Sequence, residues 1–187
     1  MKRAIIAPVP LPASALAELK QWLGINTTRE DALLTALLHA ALDICESYTG
    51  LRPIEAYCEE IWPTRTETAP GQWQTLSTRP VQRIASIETV SPDGVRALLP
   101  SDSCAMELDA DGTGRFRIMD AHGARRVAVH FTAGMAPGWN ALPDALRQGV
   151  LRLAAHHHRA RDTGDGTPAP PMAVTALWHP WRRMRLI

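Results

Sequence analysis

The sequence predicts an α+β fold: a small helical bundle of three main helices, an antiparallel β meander inserted before the last of them, and an extended C-terminal tail. Three observations carry this. Leu/Ala-rich segments with apolar spacings of three and four fill residues 13–49 and 143–161. Short β-branched and aromatic runs, separated by turn signals, fill the stretch between. A Pro/Gly-rich run then isolates the closing ALWHPWRRMRLI.

The first helix is expected over Ala13–Leu23, with Pro12 at its first turn, Gly24 as its stop, and Leu16, Leu19, Trp22 and Leu23 on one stripe. The second starts at a Thr27 or Thr28 cap, with Glu30 or Asp31 as capping-box partner. Its apolar face is Leu34, Leu37, Leu38, Ala41, Cys45 and Tyr48, and Gly50 ends it. From Pro53 onward strands are expected near 56–62, 73–76, 84–90, 95–99, 105–108, 115–119 and 126–132. Asp93-Gly94, Asp111-Gly112 and His122-Gly123 mark tight turns among them. The third helix opens at Pro143 and Asp144, buries Leu146, Val150, Leu153, Ala154 and His157, and frays near Arg161. Residues 162–171, DTGDGTPAPP, read as a linker. The expected organisation is a helical part at 1–52, an inserted β subdomain at 53–134, a core helix at 135–161, and a linker with a docking tail at 162–187.

Composition narrows the function. The chain has 187 residues, 45% of them hydrophobic and 21% charged, which is the balance of a globular domain with a real core. A net charge of +1, from 20 basic and 19 acidic residues, argues against a protein built to hold nucleic acid. Cys45, Cys58 and Cys104 are odd in number and lack a C-x-x-C pair, so buried thiols in a reducing compartment are expected rather than disulfides or zinc ligands. The apolar run Ala4–Ala7 is too short for a signal peptide, and no stretch reaches a membrane span. A soluble protein made in the cytoplasm is expected.

Catalytic patterns are missing. His156, His157 and His158 are consecutive, so on a helix they point about 100° apart and cannot converge on one metal. Of the residues four positions from one of them, only Asp162 could serve as a ligand, and it stands at the expected fraying end. Asp109-Ala-Asp111-Gly112 puts its glycine too early for a calcium loop and reads as a hairpin turn. Glu59 and Glu60 are adjacent on a strand and face opposite ways, so they cannot work as an acid–base pair. There is no phosphate-cradling glycine loop, G-x-S-x-G or H-E-x-x-H. No enzyme, cofactor or metal site is expected.

The tail carries the recognition chemistry instead. Trp178 and Trp181 supply area, Arg182, Arg183 and Arg185 supply fixed-geometry donors, and Pro180 and Leu186 complete the set. Docking to a partner protein is the leading expectation, ahead of folding back on the chain's own core and of stacking on nucleic acid, because three arginines alone give little phosphate affinity at cellular salt.

Taken in order, LAELKQWLGI, EDALLTALLHAALDICESYTGLRP, STRPVQRIASIETV, VAVHFTAGMAPGWNALPDALRQGVLRLAAHHHRARD and ALWHPWRRMRL resemble the head–tail connector, or adaptor, proteins of long-tailed bacteriophages and gene transfer agents. The resemblance spans nearly the whole chain. It departs in the HHH run and in Trp178-His179 before the proline. It implies a structural protein of the virion neck, assembled in the host cytoplasm into a homo-oligomeric ring, commonly twelve-fold. That ring sits below the portal protein and above a tail-side stopper, and DNA passes through its lumen without specific binding. It also implies that the helices build the subunit contacts and that Trp178–Leu186 docks the portal. Two rivals stand beside it: a DNA-binding or packaging accessory using the arginine tail, and a small metal enzyme built on His156–His158.

Overall fold

The computed structural model of this chain describes residues 2–8, 10–64, 71–163 and 169–182. Its elements in order are β1 (Lys2–Pro8), α1 (Ala13–Leu23), α2 (Asp31–Thr49), β2 (Ala56–Pro63), β3 (Gln74–Thr75), β4 (Val81–Val90), β5 (Arg96–Leu98), β6 (Cys104–Leu108), β7 (Gly114–Ile118), β8 (Arg126–Ala133), α3 (Asp144–Thr163) and α4 (Met172–Trp178). They divide into a sheet unit, Met1–Val9 with Glu55–Met135, and a helical unit, Pro10–Ile54 with Ala136–Ile187.

In the sheet unit, every strand expected from the sequence forms, within a few residues at each end. The meander does not. β4–β5 and β6–β7 are hairpins between consecutive strands, but β8 inserts between β2 and β4, giving a five-stranded sheet ordered β1-β2-β8-β4-β5 and a three-stranded sheet ordered β3-β7-β6. The reason lies in β8 itself. Val127, Ala128, Val129, His130 and Phe131 are consecutive and all buried, so this strand needs cover on both faces and neighbours on both edges. A meander would have left the last strand on an edge.

β1 also corrects an expectation, since the sequence predicted that two helices open the chain. The run Ala4–Ala7 is too short to stand out locally; pairing with β2, Lys2 opposite Ile61 and Ala4 opposite Glu59, makes it a strand. The core of the unit gathers Cys58, Leu76, Val81, Ile87, Phe116, Val127, Val129 and Phe131, with Trp62 edge-on to Phe116 at 5.5 Å between centroids.

In the helical unit, α1 has the expected bounds, and Gly24 and Gly50 end α1 and α2 in the left-handed conformation at φ 72° and 73°. Leu34, Leu38, Ala41 and Cys45 of α2 are buried as the spacing predicts. Burial pushes the Cys45 thiol up to about 12, with the nearby Glu46 carboxylate adding to the effect. All three cysteines are free and buried.

Two expectations fail here. Trp22 does not join the buried stripe of α1, which consists of Ala15 and Leu19; its ring is exposed and lies under the Arg152 guanidinium at 5.8 Å. The capping box of α2 does not form either. Asp31 N–H bonds the Thr28 carbonyl, while the Glu30 carboxylate is taken by His158 at 3.2 Å and Arg161 at 3.4 Å on α3. Side chains on a packed neighbour, the Arg161 guanidinium among them, occupy the carboxylate that a capping box would turn back to the backbone N–H.

The linker and tail also change. α3 runs on to Thr163, and α4 occupies part of the segment expected to be extended, so the described residues hold four α-helices rather than three. The middle of the linker lies outside the described residues. No helix among those described is long and apolar enough to cross a membrane.

Candidate functional site

The root of the C-terminal segment is built from α4. Val174 and Trp178, four residues apart, place two apolar groups on one helix face, and both are buried at 1% and 0% exposure. The Trp178 indole N–H donates to the Leu146 carbonyl on α3 at 3.4 Å, and its ring meets Tyr48 of α2 at 6.0 Å between centroids. Gly149 makes room for it. A Cβ at that position would stand 2.1 Å from Trp178 Nε1. A glycine inside a helix costs about 1 kcal/mol against alanine, so its place in the middle of α3 is explained by the indole it admits. That interior glycine was the one signal in the sequence that a bulky side chain crosses α3.

Trp178 was expected to reach a partner; in this chain it is a core residue, because α4 folds it onto α2 and α3 within the same unit. The polarity reverses after it. His179 and Pro180 are exposed, Trp181 is half-buried, and Arg182 is exposed with its guanidinium 5.4 Å over the Tyr48 ring. Trp178 and Arg182 thus both contact one tyrosine. Arg183, Arg185 and Leu186 lie outside the described residues. The structure therefore brings Trp178 and Arg182 together around Tyr48, a residue that the sequence placed only on a buried stripe.

His158 pairs with Glu30, while His156 and His157 lie with ring centroids 5.9 Å apart. Desolvation, reinforced by repulsion from His156, holds His157 below the usual value of 6.5. No group of three metal-ligating side chains occurs among the described residues.

In the sheet unit, Glu59 and Glu60 do face opposite ways, and each is claimed structurally. The Glu60 carboxylate accepts from Ser77 N–H and Oγ–H and from Thr78 N–H and Oγ1–H at 2.6–3.1 Å. Glu59 pairs with Arg96, which also reaches Glu88 at 3.6 Å, and His130 Nε2 lies 3.2 Å from Glu88 and 3.5 Å from Glu59. The hydrogen bond from Arg96 holds the Glu59 carboxyl below its ordinary 4.5, against the opposing pull of burial.

Asp109-Ala-Asp111-Gly112 is the hairpin turn expected, closed by Thr113 N–H on Asp111 Oδ1 at 2.9 Å. One arrangement was not anticipated. Ser103 Oγ is 3.1 Å from His122 Nε2, whose Nδ1 is 3.4 Å from Asp120. The order is that of a hydrolytic triad, but Ser103 is buried and its hydroxyl is shared with Asp102 at 3.2 Å. With Met119 and Asp120 N–H both on the Ser103 carbonyl, these bonds lock the turn at His122, whose φ is 47°.

Comparison with known proteins bears on this geometry. Residues 13–85, from α1 into β4, match the family described as phage gp6-like head-tail connector protein. None of the curated proteins compared with the chain matches significantly. Among solved structures, the fold is similar to a chain of the neck of an empty GTA particle computed with C6 symmetry, at TM-score 0.74 and 29% identity over 100% of this chain and 98% of that one. A chain from the virion of a native gene transfer agent (GTA) particle is similar at TM-score 0.74 and 28% identity, with 100% and 98% covered. A third, from a native GTA neck computed with C12 symmetry, is similar at 0.71 and 29%, with 98% and 97% covered.

Proposed function

We infer that this chain is a head–tail connector, a structural protein of a virion neck that assembles as a ring between portal and tail; the family match over residues 13–85 and the similarity of the fold support this. The observation that carries this reading is similarity along the full length of both chains to a neck component, with the C-terminal segment included. The rotational symmetry of those necks is the reason for proposing a ring here, twelve-fold as in the C12 case.

In this reading Trp178 is the fixed root, and Pro180, Trp181, Arg182, Arg183, Arg185 and Leu186 form the part that meets the portal. A tripod of α2, α3 and α4 around Trp178 lowers the entropy lost when the last residues dock, because their point of departure is already set. Repetition around a ring converts a modest contact into a firm one through effective concentration. A net charge of +1 suits a conduit that DNA traverses without being held. The opposite face of the ring would meet a tail-side stopper.

The test is electron microscopy of the full chain with its cognate portal, beside a truncation lacking residues 183–187. That truncation spares Trp178, whereas a cut from Ala176 would remove a core residue and confuse folding with docking. Rings on the portal for the full chain, and their loss in a truncation with an unchanged thermal midpoint, are expected. Equal attachment of both proteins would refute a docking role for Arg183, Arg185 and Leu186. Tight duplex-DNA binding with a steep salt slope would favour the packaging-accessory alternative.

A further inference from the structure

A heterologous ring needs two different, complementary patches on each subunit, and the sheet unit carries two unclaimed apolar ones at the opposite edges of its five-stranded sheet. At one edge, β1 pairs with β2 alone. Its described side chains from Arg3 to Ala7 are all exposed, with Ile5 at 38% and Ile6 at 50%, so both isoleucines keep a substantial apolar area facing solvent. At the other edge is β5, three residues long and exposed throughout, with Leu98 at 69% and the adjoining Val95 at 67%. Arg96 between them is already committed to Glu59 and Glu88, so Val95 and Leu98 are the chemistry this edge offers. Four strand spacings, about 19 Å, separate the two edges.

Both edges are blunted against open-ended backbone pairing. β1 is bulged: Ile5 lies opposite Cys58 and Ala7 opposite Tyr57, leaving Ile6 as the extra residue. β5 is too short to template a long strand. The sheet's accumulated twist, about 20–25° per strand, would also wind continuous edge pairing into a filament rather than a flat ring. Side-chain packing without strand addition is what remains.

We propose that Ile5 and Ile6 on β1 of one copy pack against Val95 and Leu98 beside β5 of the next copy, closing the ring through the sheet units. This rests on the ring reading above and adds a contact to those that the family resemblance assigns to helices. Burying the solvent-facing part of these four side chains at each interface gives every subunit the same head-to-tail contact twice.

The test uses full-length Ile6→Cys and Leu98→Cys variants, mixed in equal amounts, assembled on the cognate portal and treated with a short bismaleimide. The native cysteines are buried and stay out of the reaction. Covalent dimers in the mixture, and none in either variant alone, are expected. Dimers of Ile6→Cys alone would replace the proposal with a two-fold β1–β1 contact. Rings seen by electron microscopy with no cross-link in the mixture would overturn it and leave the ring reading standing. No rings for the unmodified chain would end both. As a second readout, Ile6→Asp should raise the protein concentration needed for ring formation at least tenfold while leaving the thermal midpoint unchanged; an unchanged requirement counts against the contact.

Discussion

The two units solve the same problem, a large buried anchor joining non-adjacent segments, with opposite chemistry. The helical unit buries an indole: Trp178 contributes area, one hydrogen bond to Leu146, and a notch at Gly149 cut to receive it. The sheet unit buries a carboxylate: Glu60, at 0% exposure, holds the loop before β4 through four hydrogen bonds. An apolar anchor tolerates substitution in proportion to volume lost. A polar anchor depends on every donor keeping its acceptor, because each orphan costs its own desolvation.

The largest effect is expected at the indole. Trp178→Ala should cost about 3–5 kcal/mol, read as a lowered urea midpoint, and Trp178→Phe a good deal less because most of the volume stays. Next comes the carboxylate, where Glu60→Ala should cost about 3 kcal/mol as Thr78 and Ser77 donors are stranded. Glu60→Gln sharpens the contrast. With its amide oxygen in the Oε1 place it keeps the three bonds made there, and it offends only the Ser77 N–H that Oε2 accepts. Its cost should be about 1 kcal/mol, measured in the same urea titration. If the isosteric Gln and the truncating Ala destabilise equally, the polar account of the sheet unit is wrong.

The smallest effect is an order of events on acidification. His157 is held below its unfolded value, so the stability from its neutral form is fully present above about pH 6.5 and is lost below that as pH falls through the folded value. Glu59 is likewise depressed, so its contribution is present above about pH 4.5 and is lost as pH falls further, through the folded value. Hydrogen exchange at α3 should therefore quicken at a higher pH than exchange at β2. His157→Gln should remove the earlier step alone. Simultaneous loss at both places would show that these two groups do not set the acid response.

What was legible in the sequence follows range of interaction. Helix α1 and the caps at Gly24 and Gly50 were readable because spacing and left-handed glycine geometry are local matters. So were the strand positions and the hairpin turns at Gly94 and Gly112. β1 was not, since four apolar residues between prolines acquire an identity only from β2. The fate of Glu30 was hidden for the same reason: its histidine and arginine lie on α3, far along the chain. Of the site, the tail's residue types were readable, but the division between root and docking part was not. Trp178 and Trp181 look alike in sequence, and only the notch at Gly149 separates them.

By itself, then, the sequence determined the class of the fold, the register of its local elements, the absence of recognisable catalytic patterns, and a tail rich in tryptophan and arginine. Tertiary structure alone decided that β8 is central, that β1 exists, and that Trp178 belongs to the core while Arg182 stands on Tyr48. The physical reason is that periodicity and turn geometry are written within a few neighbouring residues. Pairing partners, by contrast, are chosen by burial across the whole chain, where many arrangements satisfy the same pattern and packing selects one.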